Sequence, residues 1–529
     1  MSLPRTSHWV YLLLVAAGPL SGQANVLTYH NNAARTGLNS AETILTLGNV
    51  KSATFGKLFL ATLDGVVDAQ PLYVSGVSIP GRGAHNVLLV ATENDSMYAL
   101  DADTGAPLWH TSLLLAGEKP SDNRGCSQVT PQIGITSTPG IYLKSAGVGV
   151  VYTVAMSKDS SGNYHQRLHA LYLQTGQEMF GGPAEIQAKY PGTGENSSGG
   201  YVIFDPAQYK ERSGLLVLDG MVYLVWGSHC DAQPYTGWIM GYDASTLTQT
   251  TVLNVTPNGG EGAIWGAGGG LAADGTGNLY FLDANGTFDT TLTSQGFPNK
   301  GDYGNSFLKL STTSHQLAVA DYFAMYNTVS ESDGDEDLGS GAALVLPDMQ
   351  DSSGNTRHLA IGAGKDYDIY LVDRDNMGKF NSQNNNAIYQ ELANALPGGV
   401  WSMPAYFHGQ VYFGSVNNSI QAFQFSKARL MSTPSSVTGH SFGYPGATPS
   451  ISSNGATNGI LWAVENATPA VLHAYSAENL AIELYNSNQA SGGRDQFGAG
   501  NKFMVPTIAN GKVYVGTPTG VAAFGLLAK

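Results

Sequence analysis

The sequence predicts an all-β protein: a single eight-bladed β-propeller of four-stranded antiparallel blades, closed by an N-terminal strand. Three observations predict it. The 529 residues are 42% hydrophobic but only 12% charged, with 66 Gly and 23 Pro, so turn formers abound and no long helical pattern runs through the chain. A unit of short apolar strands and turns recurs, most clearly in "AQPLYVSG…NVLLVATENDSMYALDADTGAPLWHTSL". The last unit, "VPTIANGKVYVGTPTGVAAFGL", is one strand short, while "TFGKLFLATLDG" near the start is a strand without a unit.

From the N-terminus, Arg5 precedes an apolar run from Trp9 to Ala17, and Gly22 and Ala24 supply a small-residue cleavage site. That pattern predicts a secretory signal over residues 1–24, leaving 25–529 as one propeller domain. The apolar run is too short for a membrane span, so a soluble, exported protein is expected, periplasmic or extracellular. Further units follow the first, among them "TSTPGIYLKSAGVGVVYTVAMSKDSSGNYHQRLHALYLQTGQEMF" and "SMPAYFHGQVYFGSVNNSIQAFQFSKARLM". Dividing the chain after the signal by eight gives roughly 63 residues per unit, which suits a four-stranded blade with long loops. Seven blades are the alternative, should the fourth or seventh unit be misdivided. Pairing the two chain ends would remove the exposed edges of an open sheet.

A net charge of −15 and the lack of a basic stripe weigh against nucleic acid as a partner. A small molecule, a glycan or another exported protein is the expected partner of a monomer. The two cysteines, Cys126 and Cys230, fall in loops on one face of adjacent blades, in a compartment that permits a disulfide. In this topology, loops before each first strand and after each second strand crowd one face around the axis. They carry Asp231, Asn285, Asp337, Lys365, Trp401 and Asn417, the usual arrangement for a site held by a rigid frame.

"YALDADTGAPLW" resembles the tryptophan-docking repeat of the pyrroloquinoline quinone (PQQ) propeller superfamily, and "TYHNNAARTGLN" resembles the lead-in of its exported members. The docking Trp is sharp only once; Phe180, Val252 and Phe380 stand at roughly corresponding places. The resemblance extends, distantly, to the quinoprotein alcohol dehydrogenases, whose chemistry needs calcium, a general base and a cation at the quinone. It implies Asn285 in "YFLDANGTFD" as a calcium ligand, Asp337 in "DEDLGSGAALVL" as the general base and a calcium ligand, and Lys365 in "GAGKDYDIYLVDRDN" as the quinone contact. Asn285 would share the cofactor contact, and Asp231 in "GSHCDAQPYTGW" is a shorter substitute for the family's glutamate ligand.

Departures run against that catalytic reading. The family's adjacent cysteine pair is missing, Leu271 follows "GGG" where the family has a Trp floor, and no Cys-x-x-Cys-His haem motif occurs. Each residue also has a plainer reading. "DGDEDLG" could be a solvated acidic turn, and its spacing rules out a helix-loop-helix calcium site. Lys365 beside Asp366 could be a hairpin-tip ion pair, and Asn285-Gly286 a left-handed turn. His165 and His229 stand alone, which argues against zinc. Trp238, Trp265 and Trp401 could be packing or rim residues. The leading expectation is therefore a binding or scaffold module with a ligand at the central mouth, and whether it is an enzyme stays open. A divergent dehydrogenase using PQQ and calcium to oxidise an alcohol or sugar is the alternative. Glycan cleavage by Asp231 and Asp337 is a third, needing the two carboxylates across one groove.

Overall fold

The computed structural model describes residues 25–528; the signal expected over residues 1–24 lies outside them. Strands make up 44% of the structure and helices 4%, and no described helix is long and apolar enough to cross a membrane. Among the described residues, eight sheets have four or more strands. The first shows the plan: Leu72–Ile79, Gly83–Thr92, Ser96–Asp101 and Pro107–Ser112, each antiparallel to the next. Its second strand is buried over its last six residues, because both its faces are covered, whereas the outer strand buries only Leu108 and is otherwise half-buried or exposed.

The plan repeats with first strands at Gly140–Ser145, Leu216–Leu218, Ala272–Ala273, Leu344–Val345, Ala405–Phe407, Ser450–Asn454 and Thr507–Ala509. Two sheets depart from pure antiparallel pairing. The fourth adds Lys379–Phe380 parallel to Ala318–Ala324, and the seventh adds Leu38–Asn39 parallel to its first strand. Phe380 thus reaches back from between the third and fourth strands of the fifth sheet, Ile369–Asp373 and Gln390–Leu392, to pack on Phe288 of the fourth, ring centroids 4.9 Å apart. Phe180, at a corresponding place, is 40% exposed and docks nothing comparable.

The eighth sheet takes its outer strand from the other end of the chain. Phe55–Thr62 pairs antiparallel with Gly520–Leu526, Phe55 opposite Leu526 and Thr62 opposite Gly520. Phe55 is fully buried among Trp462, Tyr485 and Phe524, with centroids 5.4, 5.0 and 6.4 Å away. It therefore ties the eighth sheet to the seventh.

Neighbouring sheets interlock by repeated devices. Trp109, on the outer strand of the first sheet, donates its indole N–H to the Leu173 carbonyl at 3.0 Å. Its ring lies so close over Gly176 that a Cβ there would sit 2.6 Å from it, which is why the following turn carries glycine. Phe59 of the N-terminal strand covers Gly105 of the first sheet in the same way, at 2.7 Å. Tyrosines on second strands donate to the carbonyl just past the third strand of the next sheet: Tyr152 to Ala244, Tyr412 to Ala477, and Tyr514 of the eighth sheet to Ala102 of the first.

The segment before Phe55 holds the first strands together. Residues 26–39 meet the first strand of each sheet, or its immediate flank, in chain order. Val26 pairs with Tyr73, Leu27 accepts from Ile141, and the Thr28 hydroxyl donates to Leu215. Ala33, Ala34, Thr36 and Gly37 accept from Ala273, Val345, Tyr406 and Ile451. Asn39 ends the series, its side-chain amide donating to Ile508. The Arg35 guanidinium, fully buried, donates to Thr28 Oγ1 and to the carbonyls of Tyr29, Leu215 and Leu271. Leu271, at the place of the quinone floor, is itself core.

Candidate functional site

A cavity of about 80 Å³ opens among loops that precede first strands and follow second strands. Its charged lining is Lys210, Arg212, Lys365, Asp231 and Asp337, and its aromatic lining is Trp265, Trp401, Tyr444 and Phe503. Of the residues singled out in the sequence, Asp231, Asp337 and Lys365 face this one space. Asn285 does not line it; its amide donates to Asp335 at 2.8 Å, one layer behind.

Asp337 sits at the head of a short turn, Leu338–Ser340, wedged between two sheets. Gly339 lies against the backbone of Ala284, where a Cβ would meet the amide nitrogen at 2.4 Å. The Asp337 carbonyl accepts from the Lys365 amide at 3.0 Å. The Lys365 ammonium stands 2.7 Å from Asp337 Oδ2 and 2.5 Å from Asp335 Oδ1. Lys365 therefore pairs with Asp335 and Asp337, not with Asp366, whose carboxylate accepts from Tyr370. The sequence reading of a hairpin-tip pair fails because the second-strand loop turns inward, toward the neighbouring sheet.

The acidic run is likewise no uniformly solvated turn: Thr328–Asp333 is helical and Asp337 is buried. Burial pushes the Asp337 pKa up to about 6, with Lys365 pulling against it. Its Oδ1 is buried and makes no hydrogen bond, and so is Asn285 Oδ1. These are two open oxygen acceptors of the kind a cation would take. Asp231, the third expected ligand, is exposed and turned to Tyr235 and Ser228, at 3.1 and 3.4 Å. Neither Asn285 nor Gly286 takes a positive φ. The left-handed turn is displaced because the Gly286 amide reaches out to Ser332 Oγ at 2.7 Å.

Two cations were not singled out in the sequence. "KER", residues 210–212, precedes the first strand of the third sheet, and all three side chains are buried, at 1, 5 and 5% exposure. In a chain that is 12% charged, three consecutive charges ahead of an apolar strand were the available signal. Lys210 donates to Gln128 Oε1 at 3.0 Å and lies over the Trp265 ring, 5.5 Å from its centroid. Burial, reinforced by Arg212, lowers its pKa to about 7. The Arg212 guanidinium lies 4.3 Å over the Phe503 ring. Among the described residues, Arg212 has no carboxylate within ion-pair reach and no side-chain hydrogen bond.

Cys126 and Cys230 form a disulfide, Cα atoms 5.7 Å apart, beside Gln128 and Asp231 of the wall. His229, adjacent, is buried; burial and Lys210 hold its pKa down near 3, so it is neutral. His165 pairs instead with Glu185 at 2.8 Å. Trp238 is core, whereas Trp265 and Trp401 are wall residues.

Solved structures of similar fold include quinohemoprotein alcohol dehydrogenases and a methanol dehydrogenase. The chain superposes on the quinohemoprotein alcohol dehydrogenase of Comamonas testosteroni with TM-score 0.61 at 14% identity, covering 96% of this chain and 81% of that one. A second such enzyme, from Pseudomonas putida HK5, gives 0.60 at 14%, covering 96% and 81%. A europium-containing methanol dehydrogenase gives 0.60 at 13%, covering 96% and 99%. No family model and no curated protein matches the chain. The likeness is one of fold: an all-β, PQQ-dehydrogenase-like propeller, distantly similar to these enzymes.

Proposed function

We propose that the protein is an exported, closed eight-bladed propeller acting as a binding module, whose central mouth takes a small anion of the carboxylate class. The ring reading rests on the N-terminal segment meeting eight first strands in order and on the eighth sheet interlocking with the first through Tyr514 and Phe59. Export is supported by the disulfide.

One observation carries the ligand: the buried Arg212 faces the cavity with no anion of its own. A buried charge without a partner is costly, and a carboxylate would meet the guanidinium in two parallel hydrogen bonds. Lys210 and Lys365 flank the same space, beside aromatic walls. A cavity of about 80 Å³ falls well short of the roughly 300 Å³ at which cofactor-sized pockets begin. That favours a small anion over a fused-ring quinone.

Tryptophan fluorescence titrated with malonate and succinate tests the reading. Saturable binding is expected, weakened about 100-fold in Arg212→Ala, the effect of losing a charge-assisted bidentate contact. Affinity should fall as pH rises through about 7, because Lys210 is charged below that value and neutral above it. Lys210→Gln should flatten the profile. A wild-type protein that responds to neither dicarboxylate defeats the proposal.

The second reading, a divergent dehydrogenase, is favoured by Asp337, a buried carboxylate in the cavity wall with one open oxygen. PQQ would supply two-electron oxidation when bound. Arg212, Lys210 and Lys365 suit its carboxylates, and Asp337 offers an open oxygen for calcium, with Asn285 one layer behind. Protein incubated with PQQ and calcium would then reduce a dye with alcohols. Asp337→Asn would abolish turnover while sparing binding, and the rate would rise through about pH 6 as Asp337 ionises. No dye reduction under these conditions leaves the binding module.

A further inference from the structure

We propose that His440, Glu465 and His473 form a second site, apart from the mouth, for a divalent transition-metal ion of the zinc class. The three come from separate stretches of the seventh repeat. His440 precedes the first strand, Glu465 ends the second, Thr457–Glu465, and His473 lies on the third, Val471–Ser476. Because the second and third strands are paired, Ala463 opposite His473, Glu465 and His473 sit two residues apart across the ladder.

Their ligand atoms converge. Glu465 Oε2 is 3.2 Å from His440 Nε2 and 3.7 Å from His473 Nε2, and all three atoms lie within 4.8 Å of one another. Ligands about 2.1 Å from a tetrahedral zinc stand roughly 3.4 Å apart, so an ion fits among them with small adjustments. Among the described residues, no other three His, Cys, Asp or Glu groups converge so closely.

The nitrogens also face the site. Both Nε2 atoms are buried and make no well-aligned hydrogen bond; Glu465 Oε2 alone approaches them, although polar atoms so placed normally find full partners. Glu483 Oε1 is 2.8 Å from His473 Nδ1, a contact that places the ring proton on Nδ1 and turns the Nε2 lone pair to the site. Glu483 is steadied by the Asn486 amide at 3.0 Å. Metal-bound histidines carry this kind of carboxylate behind them. The rings of His440 and His473 stack at 4.7 Å, and Phe442 packs edge-on against each, which fixes both imidazoles at the site.

The rival occupant of this space is a proton shared between the histidines and Glu465. That would leave one Nε2 orphaned; a metal ion satisfies all three groups at once. With three protein ligands, the fourth position is left for water or an incoming ligand, as at open zinc sites. His440 lies four residues before Tyr444 of the mouth wall, so an ion here would pin the segment that carries Tyr444.

The test uses the full chain, stripped with chelator and titrated with Co²⁺. One equivalent should bind with the visible ligand-field bands of a tetrahedral N/O site and be displaced by Zn²⁺. His440→Ala, at a half-buried loop position, should weaken binding at least 100-fold without changing the melting of the metal-free protein. Glu483→Gln, which removes no ligand, should weaken it 10–100-fold. The proposal is overturned if wild type binds no more Co²⁺ than His440→Ala. It is equally overturned if the ion is lost in Asp337→Asn but kept in His440→Ala, which would place it at the mouth.

Discussion

Removing residues 25–64 is expected to yield a chain that aggregates, not a folded protein of lowered stability. The deletion takes two different structural parts. One is the strand Phe55–Thr62, whose loss leaves Gly520–Leu526 with an unpaired edge, a template for pairing with other chains. It also removes Phe55 from between Trp462, Tyr485 and Phe524, where a large-to-small change alone costs about 3–5 kcal/mol. The other part is the segment 26–39, which hydrogen-bonds to every sheet. Each buried group left without its partner costs about 1–3 kcal/mol, and at least seven such contacts are lost together. Together with Phe55, their loss is comparable to or larger than the roughly 5–15 kcal/mol that holds most domains folded. Size-exclusion chromatography and a thermal melt give the outcome directly. A truncated protein that elutes as a monomer and melts cooperatively near the full-length temperature would show that neither part closes the structure.

That segment also marks what the sequence could and could not disclose. Strands were legible because apolar runs, turn residues and "VY" pairs repeat along the chain, and the pairing of Phe55–Thr62 with the last unit followed from a missing strand. The passage of residues 26–39 along eight first strands was not legible. Most of its contacts are backbone hydrogen bonds, which place no demand on residue type; Thr28, Arg35 and Asn39 use side chains. Asp337 and Lys365 were recognised through local motifs, and the structure places both in one cavity wall. Lys210 and Arg212 escaped because a charge run reads as a solvated face until its neighbours are known. The histidines at 440 and 473 escaped because ligand spacing along a chain is informative only for local motifs; here two paired strands and the loop before the first strand do the gathering.

Replacing both Cys126 and Cys230 with serine should lower stability by about 4–5 kcal/mol. The bond closes a loop of 104 residues, and on the chain-entropy account a loop of about 100 residues contributes roughly 4.7 kcal/mol by restricting the unfolded chain. Within that loop lie all strands of the second sheet except Lys119–Asp122, and the first two strands of the third, so the unfolded ensemble it restricts is large. The native contribution is more local. Cys126 lies two residues before Gln128, which accepts from Lys210, and Cys230 precedes Asp231; both Gln128 and Asp231 line the cavity. The serine variant should therefore show two effects with different signatures. Chemical denaturation would report the lowered stability as a shift in midpoint. Titration with malonate, at a denaturant-free temperature where the variant stays folded, would report weaker binding as the wall loosens around Lys210. Reduction of the wild type with dithiothreitol should reproduce both. A variant with an unchanged midpoint would mean that the unfolded chain is already compact there and that the disulfide serves the mouth alone; unchanged malonate binding beside a lowered midpoint would confine its role to the fold.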